Sequence, residues 1–217
     1  MPREKAPALW VIAGPNGAGK SSIVGEMIRE SGGQYYNPDE VARRLRELER
    51  RLPAERANEI AWREGKRLLE ESIDARRNFA FETTLGGRTI AATLHHAADC
   101  GFAIRMWFLA LDSAEMHIER VTARVVAGGH DIPAEIIRER YTRSRHNLVL
   151  LLPRLESLKL FDNSIVAPVS GKARPRLLLD WQNGSIRNRD VLVETPSWAK
   201  AIVAAALKIE RSRRGPS

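Results

Sequence analysis

The stretch from Leu9 to Ser22 constrains the fold more than any other part of the chain. It reads Leu-Trp-Val-Ile-Ala-Gly-Pro-Asn-Gly-Ala-Gly-Lys-Ser-Ser, an apolar run suited to a buried strand and then a glycine-rich turn. Apolar residues then recur at helical spacing, at Ile23, Val24, Met27 and Ile28. A strand, the pattern Gly-x4-Gly-Lys-Ser and a helix in this order predict a Walker A phosphate loop, rather than an ordinary turn.

Each part of this loop has an expected task in binding a nucleoside triphosphate. Glycines let successive backbone N–H groups turn toward the β-phosphate, and the following helix adds the positive end of its dipole. Lys20 is expected to reach the β- and γ-phosphates, and the Ser21 hydroxyl to hold Mg²⁺. The predicted nucleotide-binding residues are Gly14, Asn16, Gly17, Ala18, Gly19, Lys20, Ser21 and Ser22.

Length and composition favour a single α/β domain over residues 1–217. A P-loop core of about five strands with covering helices needs most of a chain of this size. The single cysteine, Cys100, excludes an intrachain disulfide and suits a reducing compartment. No apolar run has the length of a membrane span or of a signal sequence. We therefore expect a soluble, cytoplasmic protein with no membrane partner.

The formal net charge of +8 raises the question of a polyanionic partner. Basic residues alternate with glutamates, as in the run 43–51, and no aromatic residues are interleaved with a basic stripe. This pattern is typical of solvated helix faces and argues against nucleic acid. A small polyanionic substrate would explain the surplus equally well.

Asp39 lies in a strong helix-start signal that follows a short predicted strand at 34–37. Asn37 suits the N-cap, Pro38 the first helical position, and Glu40 the third position after the cap. One interpretation is that the Asp39 carboxylate benefits from the helix dipole. The other is that it accepts the proton of a substrate hydroxyl as a catalytic base. The two do not exclude each other.

A short apolar strand at 79–82 ends in Glu82, Thr83 and Thr84, followed by two glycines. In an open parallel sheet, ligands bind beyond the carboxyl ends of the strands. These three side chains are therefore predicted to face the same crevice as Lys20 and to bind substrate. The alternative is a turn that caps the following helix.

The next apolar strand, 103–111, ends at Asp112. An acid in this position could order Mg²⁺ as the Walker B carboxylate. The run Asp112-Ser113-Ala114-Glu115 is also a capping pattern for the helix that follows.

Two arginine-bearing helices with a break at 128–133 predict a lid at about 115–150. Arginine suits a lid because its planar fork binds phosphate oxygens bidentately and neutralises charge on the transferred group. The alternative is that many of these arginines lie on solvated helix faces. They are Arg120, Arg124, Arg138, Arg140, Arg143 and Arg145.

The end of the chain predicts a hairpin and a closing helix, together at about 175–210. Strands at 176–180 and 186–193 flank Gln182-Asn183-Gly184, a hairpin turn signal. A helix is expected from Trp198 to Ile209, with a frayed and dispensable charged tail behind it.

These motifs, taken in order, resemble the zeta toxin family over roughly residues 8–165. The segments that carry the resemblance are the phosphate loop, Asn37-Pro38-Asp39-Glu40, Phe81-Glu82-Thr83-Thr84, and Gly128-Gly129-His130-Asp131-Ile132-Pro133 followed by Arg140-Tyr141. Members of that family are kinases that use ATP and Mg²⁺ to phosphorylate the 3′-hydroxyl of UDP-N-acetylglucosamine. The resemblance also implies a possible antitoxin protein as partner.

Carried over by position, the resemblance implies a role for each matching residue. Lys20 and Ser21 would bind phosphates and Mg²⁺, and Asp39 would be the base. Glu82 and Thr84 would contact the sugar nucleotide, and Arg124 would be one of two lid arginines. The second has no clean counterpart, since the nearest aligned position is His130, with Arg138 and Arg140 close behind.

The leading hypothesis is an ATP- and Mg²⁺-dependent phosphotransferase acting on a hydroxyl of a small metabolite. The alternative is a nucleotide-switched ATPase that acts through a protein or nucleic-acid partner and has no acceptor pocket beside Asp39. The predicted catalytic residues are Asp39, Lys20, Arg124 and Arg140. The predicted substrate-binding residues are Asp39, Glu82, Thr83, Thr84, Arg120 and His130, and the predicted metal ligands are Ser21 and Asp112.

Overall fold

The computed structural model of the chain describes residues 6–23, 35–126, 129, 131–165 and 175–214. One sheet of seven strands forms its centre. The strands are β1 (Ala8–Ala13), β2 (Tyr35–Tyr36), β3 (Phe79–Thr83), β4 (Ala103–Ala110), β5 (Ser157–Asp162), β6 (Arg176–Gln182) and β7 (Ser185–Ile186). They lie side by side in the order β2-β3-β1-β4-β5-β6-β7.

Within the described ranges, six α-helices connect or flank these strands. They are α1 (Pro38–Leu48), α2 (Ala54–Asp74), α3 (Arg88–Asp99), α4 (Ala114–Val126), α5 (Ala134–Leu151) and α6 (Lys200–Arg214). Strands β1 to β5 are parallel, while β6 and β7 pair antiparallel at one edge. The predicted α/β fold with a central parallel sheet, flanking helices and a C-terminal hairpin plus helix is confirmed. No described helix combines the length and the apolar content that crossing a bilayer would need.

The core explains why β1 and β4 occupy the middle of the sheet. All six residues of β1 are buried, because helices cover both faces of a parallel sheet and such strands need apolar side chains on both sides. One face packs Leu9 and Val11 into the larger apolar cluster, and the other packs Trp10 and Ile12 into a smaller one. The phosphate loop therefore leaves the sheet from a strand that is buried along its whole length.

The predicted start of α1 is confirmed. Asn37 is the N-cap, and its Oδ1 accepts hydrogen bonds from the backbone N–H groups of Asp39 at 2.9 Å and Glu40 at 3.3 Å. Pro38 occupies the first helical position. This cap fixes Asp39 in the first turn of α1, directly after β2.

The segment after the phosphate loop is described only in part. Lys20–Ser22 form a 3-10 turn instead of the start of the predicted α-helix. The predicted helical positions Val24, Met27 and Ile28 lie outside the described residues.

The predicted second strand of the hairpin is wrong beyond Ile186. Strand β7 has only two residues, and Arg189–Glu194 form a 3-10 helix instead. The side-chain oxygen of Asn188 accepts the backbone N–H of Asp180 at 2.7 Å, a donor that a longer β7 would have used. Because the side chain satisfies this donor, the backbone ladder can end early.

Contrary to the prediction of a frayed end, the charged tail is helical as far as Arg214. Helix α6 continues to that residue because Glu210 is buried, with 3% exposure, on its inner face. The Glu210 carboxylate accepts the Ile186 N–H at 3.2 Å and pairs with Arg189 and Arg214. The C-terminal helix is thus fastened to the hairpin by a buried acid.

Candidate active site

The phosphate loop follows β1 through a tight passage between the neighbouring strands. Gly14 has φ 144°, and a Cβ there would lie 2.0 Å from the backbone oxygen of Leu109 in β4. Its N–H donates to the carbonyl oxygen of Thr83 at 3.2 Å. At Gly19, with φ 81°, a Cβ would lie 2.3 Å from Nδ2 of Asn163. Only glycine fits these two positions, as the Walker A pattern predicts.

Lys20 forms a buried ion pair at the entrance of the loop. Its side chain is 8% exposed, and Nζ lies 3.4 Å from Oε1 of Glu82. Nζ also donates to the carbonyl oxygens of Gly14 at 2.9 Å and Pro15 at 3.3 Å. The ammonium is therefore held in the plane of the loop, facing the carboxyl end of β3.

Glu82 is oriented from its other side by residues of the β2 segment. Its Oε2 accepts hydrogen bonds from the Tyr35 hydroxyl at 2.8 Å and from Nδ2 of Asn37 at 3.2 Å. Burial, followed by the nearby Glu82 carboxylate, raises the pKa of the Tyr35 phenol well above its usual value. Tyr35 is thus a neutral donor at any physiological pH.

A cleft of about 740 Å³ opens beside the loop, between the α1–α2 side and α5. Its size falls in the range of pockets that bind small ligands. It brings together predicted site residues from four separate parts of the chain, namely Asn16, Lys20, Asp39, Glu82, Thr83, Thr84 and Arg140. Their shared location agrees with the expectation that ligands bind beyond the carboxyl ends of β1 and β3.

The two threonines after Glu82 organise the turn that follows β3. The Thr83 hydroxyl accepts the Leu85 N–H at 3.0 Å, and the Thr84 hydroxyl accepts the Gly86 N–H at 3.4 Å. Neither caps α3, whose N-cap is Gly87. Both side chains line the cleft, so their turn bonds and contact with a ligand are compatible.

Each of the two predicted lid helices places an arginine beside a predicted site residue. Nη1 of Arg124 in α4 lies 3.8 Å from Oδ2 of Asp39, whose side chain is 62% exposed. Nη1 of Arg140 in α5 donates to Oδ1 of Asn16 in the phosphate loop at 2.8 Å. Arg138 instead pairs with glutamates on the helix surface, so α5 contributes Arg140 and Arg143 to the cleft.

Two other predicted substrate contacts are placed differently. Nη2 of Arg120 donates to the carbonyl oxygen of Asn163 at 2.6 Å, and Asn163 in turn donates to the carbonyl oxygen of Ala18 at 2.9 Å. Arg120 therefore supports the back of the phosphate loop and does not line the cleft. His130 lies outside the described residues.

The predicted metal ligands offer free oxygen atoms. Ser21 is exposed directly after Lys20, and neither its hydroxyl nor the Asp112 carboxylate has a partner among the described residues. The Asp112 backbone is anchored, since its N–H donates to Ser164 at 2.8 Å and its carbonyl accepts from Tyr141 at 2.8 Å. Ser113, not Asp112, caps α4 by accepting the Met116 N–H at 3.2 Å.

His117 is a functional candidate that the sequence interpretation missed. It is fully buried, its Nδ1 lies 2.7 Å from the carbonyl oxygen of Asn16, and its Nε2 accepts the Leu111 N–H at 3.1 Å. Because a carbonyl only accepts and an amide N–H only donates, the ring must be neutral with its proton on Nδ1. The only sequence signal was its position between Ala114 and Val121 on the buried face of α4.

The buried His117 predicts an acid-sensitive fold. Burial lowers its pKa from 6.5 to about 4. Between these values the unfolded chain binds a proton that the folded chain does not, so the free energy of unfolding should fall by about 3 kcal/mol from pH 7 to pH 4. Urea unfolding at several pH values measures this slope. His117→Asn should remove that part of it, whereas His146→Asn, at an exposed site, should leave it unchanged.

Comparisons with known proteins agree with this architecture. A family model described as an AAA domain matches residues 9–147. An uncharacterized protein of Haemophilus influenzae is 28% identical over 141 residues, which are 61% of this chain and 96% of that protein.

Two solved structures share the fold at low sequence identity. One comes from the characterization of the PezAT chromosomal toxin-antitoxin system of Streptococcus pneumoniae, with TM-score 0.58, 15% identity and coverage of 98% of this chain and 89% of that chain. The other is AvrRxo1-ORF1:-ORF2 with ATP, with TM-score 0.63, 15% identity and coverage of 88% of this chain and 64% of that chain.

The family match spans more than half of the chain and includes the phosphate loop, most cleft residues and both arginine-bearing helices. The chain therefore belongs to the AAA domain family, and its fold is similar to that of the structure from the PezAT toxin-antitoxin system.

Proposed function

We propose that this protein is an ATP- and Mg²⁺-dependent phosphotransferase that phosphorylates a hydroxyl of a small molecule. The observation that carries the proposal is that Lys20 and Asp39, a phosphate-binding group and a candidate base, line the same cleft. A nucleotide-switched ATPase would not need an acceptor pocket beside Asp39, so the cleft favours the kinase. The resemblance makes UDP-N-acetylglucosamine the first acceptor to test.

The residues of the site suit this reaction. The backbone of the phosphate loop and Lys20 bind the β- and γ-phosphates of ATP, and Asp39 takes the proton of the acceptor hydroxyl. Arg124, 3.8 Å from Asp39, and Arg140, hydrogen-bonded to the loop, are near enough to neutralise the transferred group. Positioning and electrostatics supply most of the catalysis in reactions of this kind.

Ser21 and Asp112 would hold the metal ion. Both present oxygen atoms, which are the ligands that Mg²⁺ prefers. When bound, Mg²⁺ neutralises negative charge on the β- and γ-phosphates.

The proposed reaction also bears on the cellular location of the protein and on its partner. A reaction that consumes ATP fits the cytoplasmic location expected from the sequence. The solved neighbours described as a toxin-antitoxin system support a protein antitoxin as an additional partner.

The deciding experiment measures phosphate transfer by the purified protein. It is incubated with ATP and Mg²⁺, with and without UDP-N-acetylglucosamine, and the sugar nucleotide is followed by mass spectrometry. Lys20→Ala serves as the blank, and Lys208→Ala, at an exposed site on α6, as the matched control. A gain of one phosphate that vanishes only in the blank would establish the nucleotide sugar as acceptor. No gain with ATP still bound would mean a different acceptor.

The position of His117 predicts that two variants of equal severity differ in ATP affinity. An asparagine amide can replace the Nδ1 donor to Asn16, whereas a glutamine oxygen can replace the Nε2 acceptor for Leu111. Both variants leave one buried group unpaired, which costs about 1–3 kcal/mol of stability. Only His117→Gln loses the bond to the loop, so we expect its ATP dissociation constant to rise about fivefold, roughly 1 kcal/mol for one hydrogen bond. Titration calorimetry with ATP checks this, and equal affinities would contradict it.

A further inference from the structure

The walls of the cleft carry more acid than base, although the chain as a whole is basic. Among the residues that the structure describes, six acidic and four basic side chains line it, a net charge of −2 against +8 for the whole chain. The acids are Asp39, Glu55, Glu59, Glu82, Asp131 and Glu139. The basic surplus therefore lies outside the cleft, and an anionic acceptor does not explain it.

Two of the four bases are needed at the phosphate loop. Lys20 lies inside the loop, and Arg140 donates to Asn16 within it. Both are next to the phosphates of ATP during transfer. They are therefore not available to neutralise further charges on the acceptor.

The other two bases, on the helical walls, are already paired. Both carboxylate oxygens of Glu70 lie 2.7 Å from Nζ of Lys66 in α2. Nη1 of Arg143 in α5 lies 2.5 Å from Oε1 of Glu139. An acceptor phosphate would therefore share each of these cations with a carboxylate that already offsets its charge.

Two of the six acids that line the cleft are not paired with a base in the described part of the chain. Glu55, in the first turn of α2, and Asp131, before α5, are exposed and have no ion-pair or hydrogen-bond partner among the described residues. They come from the two sides of the cleft. An anion bound between these walls would be repelled from both.

One face of α2 adds an aromatic side chain, Trp62, to the wall of the cleft. Its lining residues recur at three- and four-residue spacing, as Glu55, Asn58, Glu59, Trp62, Gly65 and Lys66. The Trp62 side chain is 44% exposed, and it is the larger of the two exposed apolar side chains of this helix, the other being Ile60. Ile132 and Ile136 line the cleft from the α5 side. A flat apolar ligand face suits this surface, because aromatic rings stack on rings.

We propose that the cleft selects a phosphate-free acceptor, a neutral or amine-bearing ring alcohol that lies against Trp62. This inference rests on the proposed phosphotransferase activity and narrows its substrate class. It excludes UDP-N-acetylglucosamine, which carries two phosphates, so the transfer assay with that nucleotide sugar should show no gain of phosphate. The acceptor oxygen forms a bond to the γ-phosphorus, the bond to the β,γ-bridging oxygen breaks, and ADP leaves. The hydroxyl proton passes to Asp39.

The test separates acceptors by charge before they meet the enzyme. A bacterial small-molecule extract is passed over an anion-exchange resin at neutral pH, and each fraction is incubated with the protein, Mg²⁺ and γ-labelled ATP. We expect at least tenfold more label to enter compounds of the unretained fraction. Label that enters only retained, phosphorylated compounds would overturn the inference but keep the kinase. Label in neither fraction, with ATP bound, would overturn the kinase itself.

Variants of the wall test the cause of this preference. Neutralising both unpaired acids, in Glu55→Gln with Asp131→Asn, should reduce the preference for unretained acceptors at least threefold without changing the KM for ATP. Asp74→Asn, an exposed and unpaired acid of α2 outside the cleft, is the matched control and should change neither. Trp62→Ala should raise the KM for the acceptor about tenfold. An unchanged preference and KM in these variants would contradict the proposal that Glu55, Asp131 and Trp62 select the acceptor.

Discussion

Asp39→Asn is expected to lower kcat for phosphate transfer by about a thousandfold, the scale of a lost general base. Asparagine has the same shape as aspartate but cannot accept the proton of the acceptor hydroxyl. Asp39 lies in the cleft, 3.8 Å from Arg124 and outside the loop that binds the nucleotide. The dissociation constant for ATP should therefore change less than about twofold, or 0.4 kcal/mol. Single-turnover transfer and calorimetry measure the two quantities separately.

The control for Asp39 is its neighbour in the first turn of α1. Glu40 has the same relation to the helix dipole but does not line the cleft, and it pairs with Arg44 on the surface. If the Asp39 carboxylate only stabilises α1 through the helix dipole, Asp39→Asn and Glu40→Gln should each lower the free energy of unfolding by about 0.5 kcal/mol. Neither should then affect phosphate transfer. Loss of transfer in the first variant alone supports the base. Unchanged turnover in both would refute it.

The parts of the site that the sequence predicted are those whose signals are local. The phosphate loop needs glycine at fixed backbone angles, and the Asn37 cap depends on its own next three residues. Glu82 was placed from its position at the end of an apolar strand, and it does meet Lys20 at 3.4 Å. In each case a short-range sequence rule fixes where the residue lies in its own element. The parallel sheet then brings the carboxyl ends of the strands together at one edge.

The parts that were missed depend on contacts distant in sequence. His117 matters because Asn16, 101 positions earlier, offers it a carbonyl. Strand β7 ends early because the Asn188 side chain bonds to Asp180, and α6 extends because Glu210 reaches Ile186. Trp62 is exposed to the cleft only because α2 lies across from α5. No local pattern encodes any of these pairings.

Gly14→Ala is expected to destabilise the fold by at least about 4 kcal/mol, among the largest effects of a single substitution. The added Cβ would lie 2.0 Å from the carbonyl oxygen of Leu109, and φ 144° is a conformation that alanine rarely adopts. Leu109 belongs to the central strand β4 and is fully buried, so its backbone cannot move aside without breaking the sheet. Urea unfolding of the purified variant measures the loss.

Two other glycines separate the clash from the backbone strain. Gly101 has φ 81° with open space around its Cβ position, so Gly101→Ala should cost only the strain, about 1–2 kcal/mol. Gly87 has an ordinary φ of −95° and open space, so Gly87→Ala at the N-cap of α3 should cost about 1 kcal/mol or less. If Gly14→Ala proves no worse than Gly101→Ala, the phosphate loop does not pass as close to β4 as the structure has it. A loss at Gly14 well beyond that at Gly101 would mean that the close contact between the phosphate loop and β4, and not turn geometry alone, requires the first glycine of the loop.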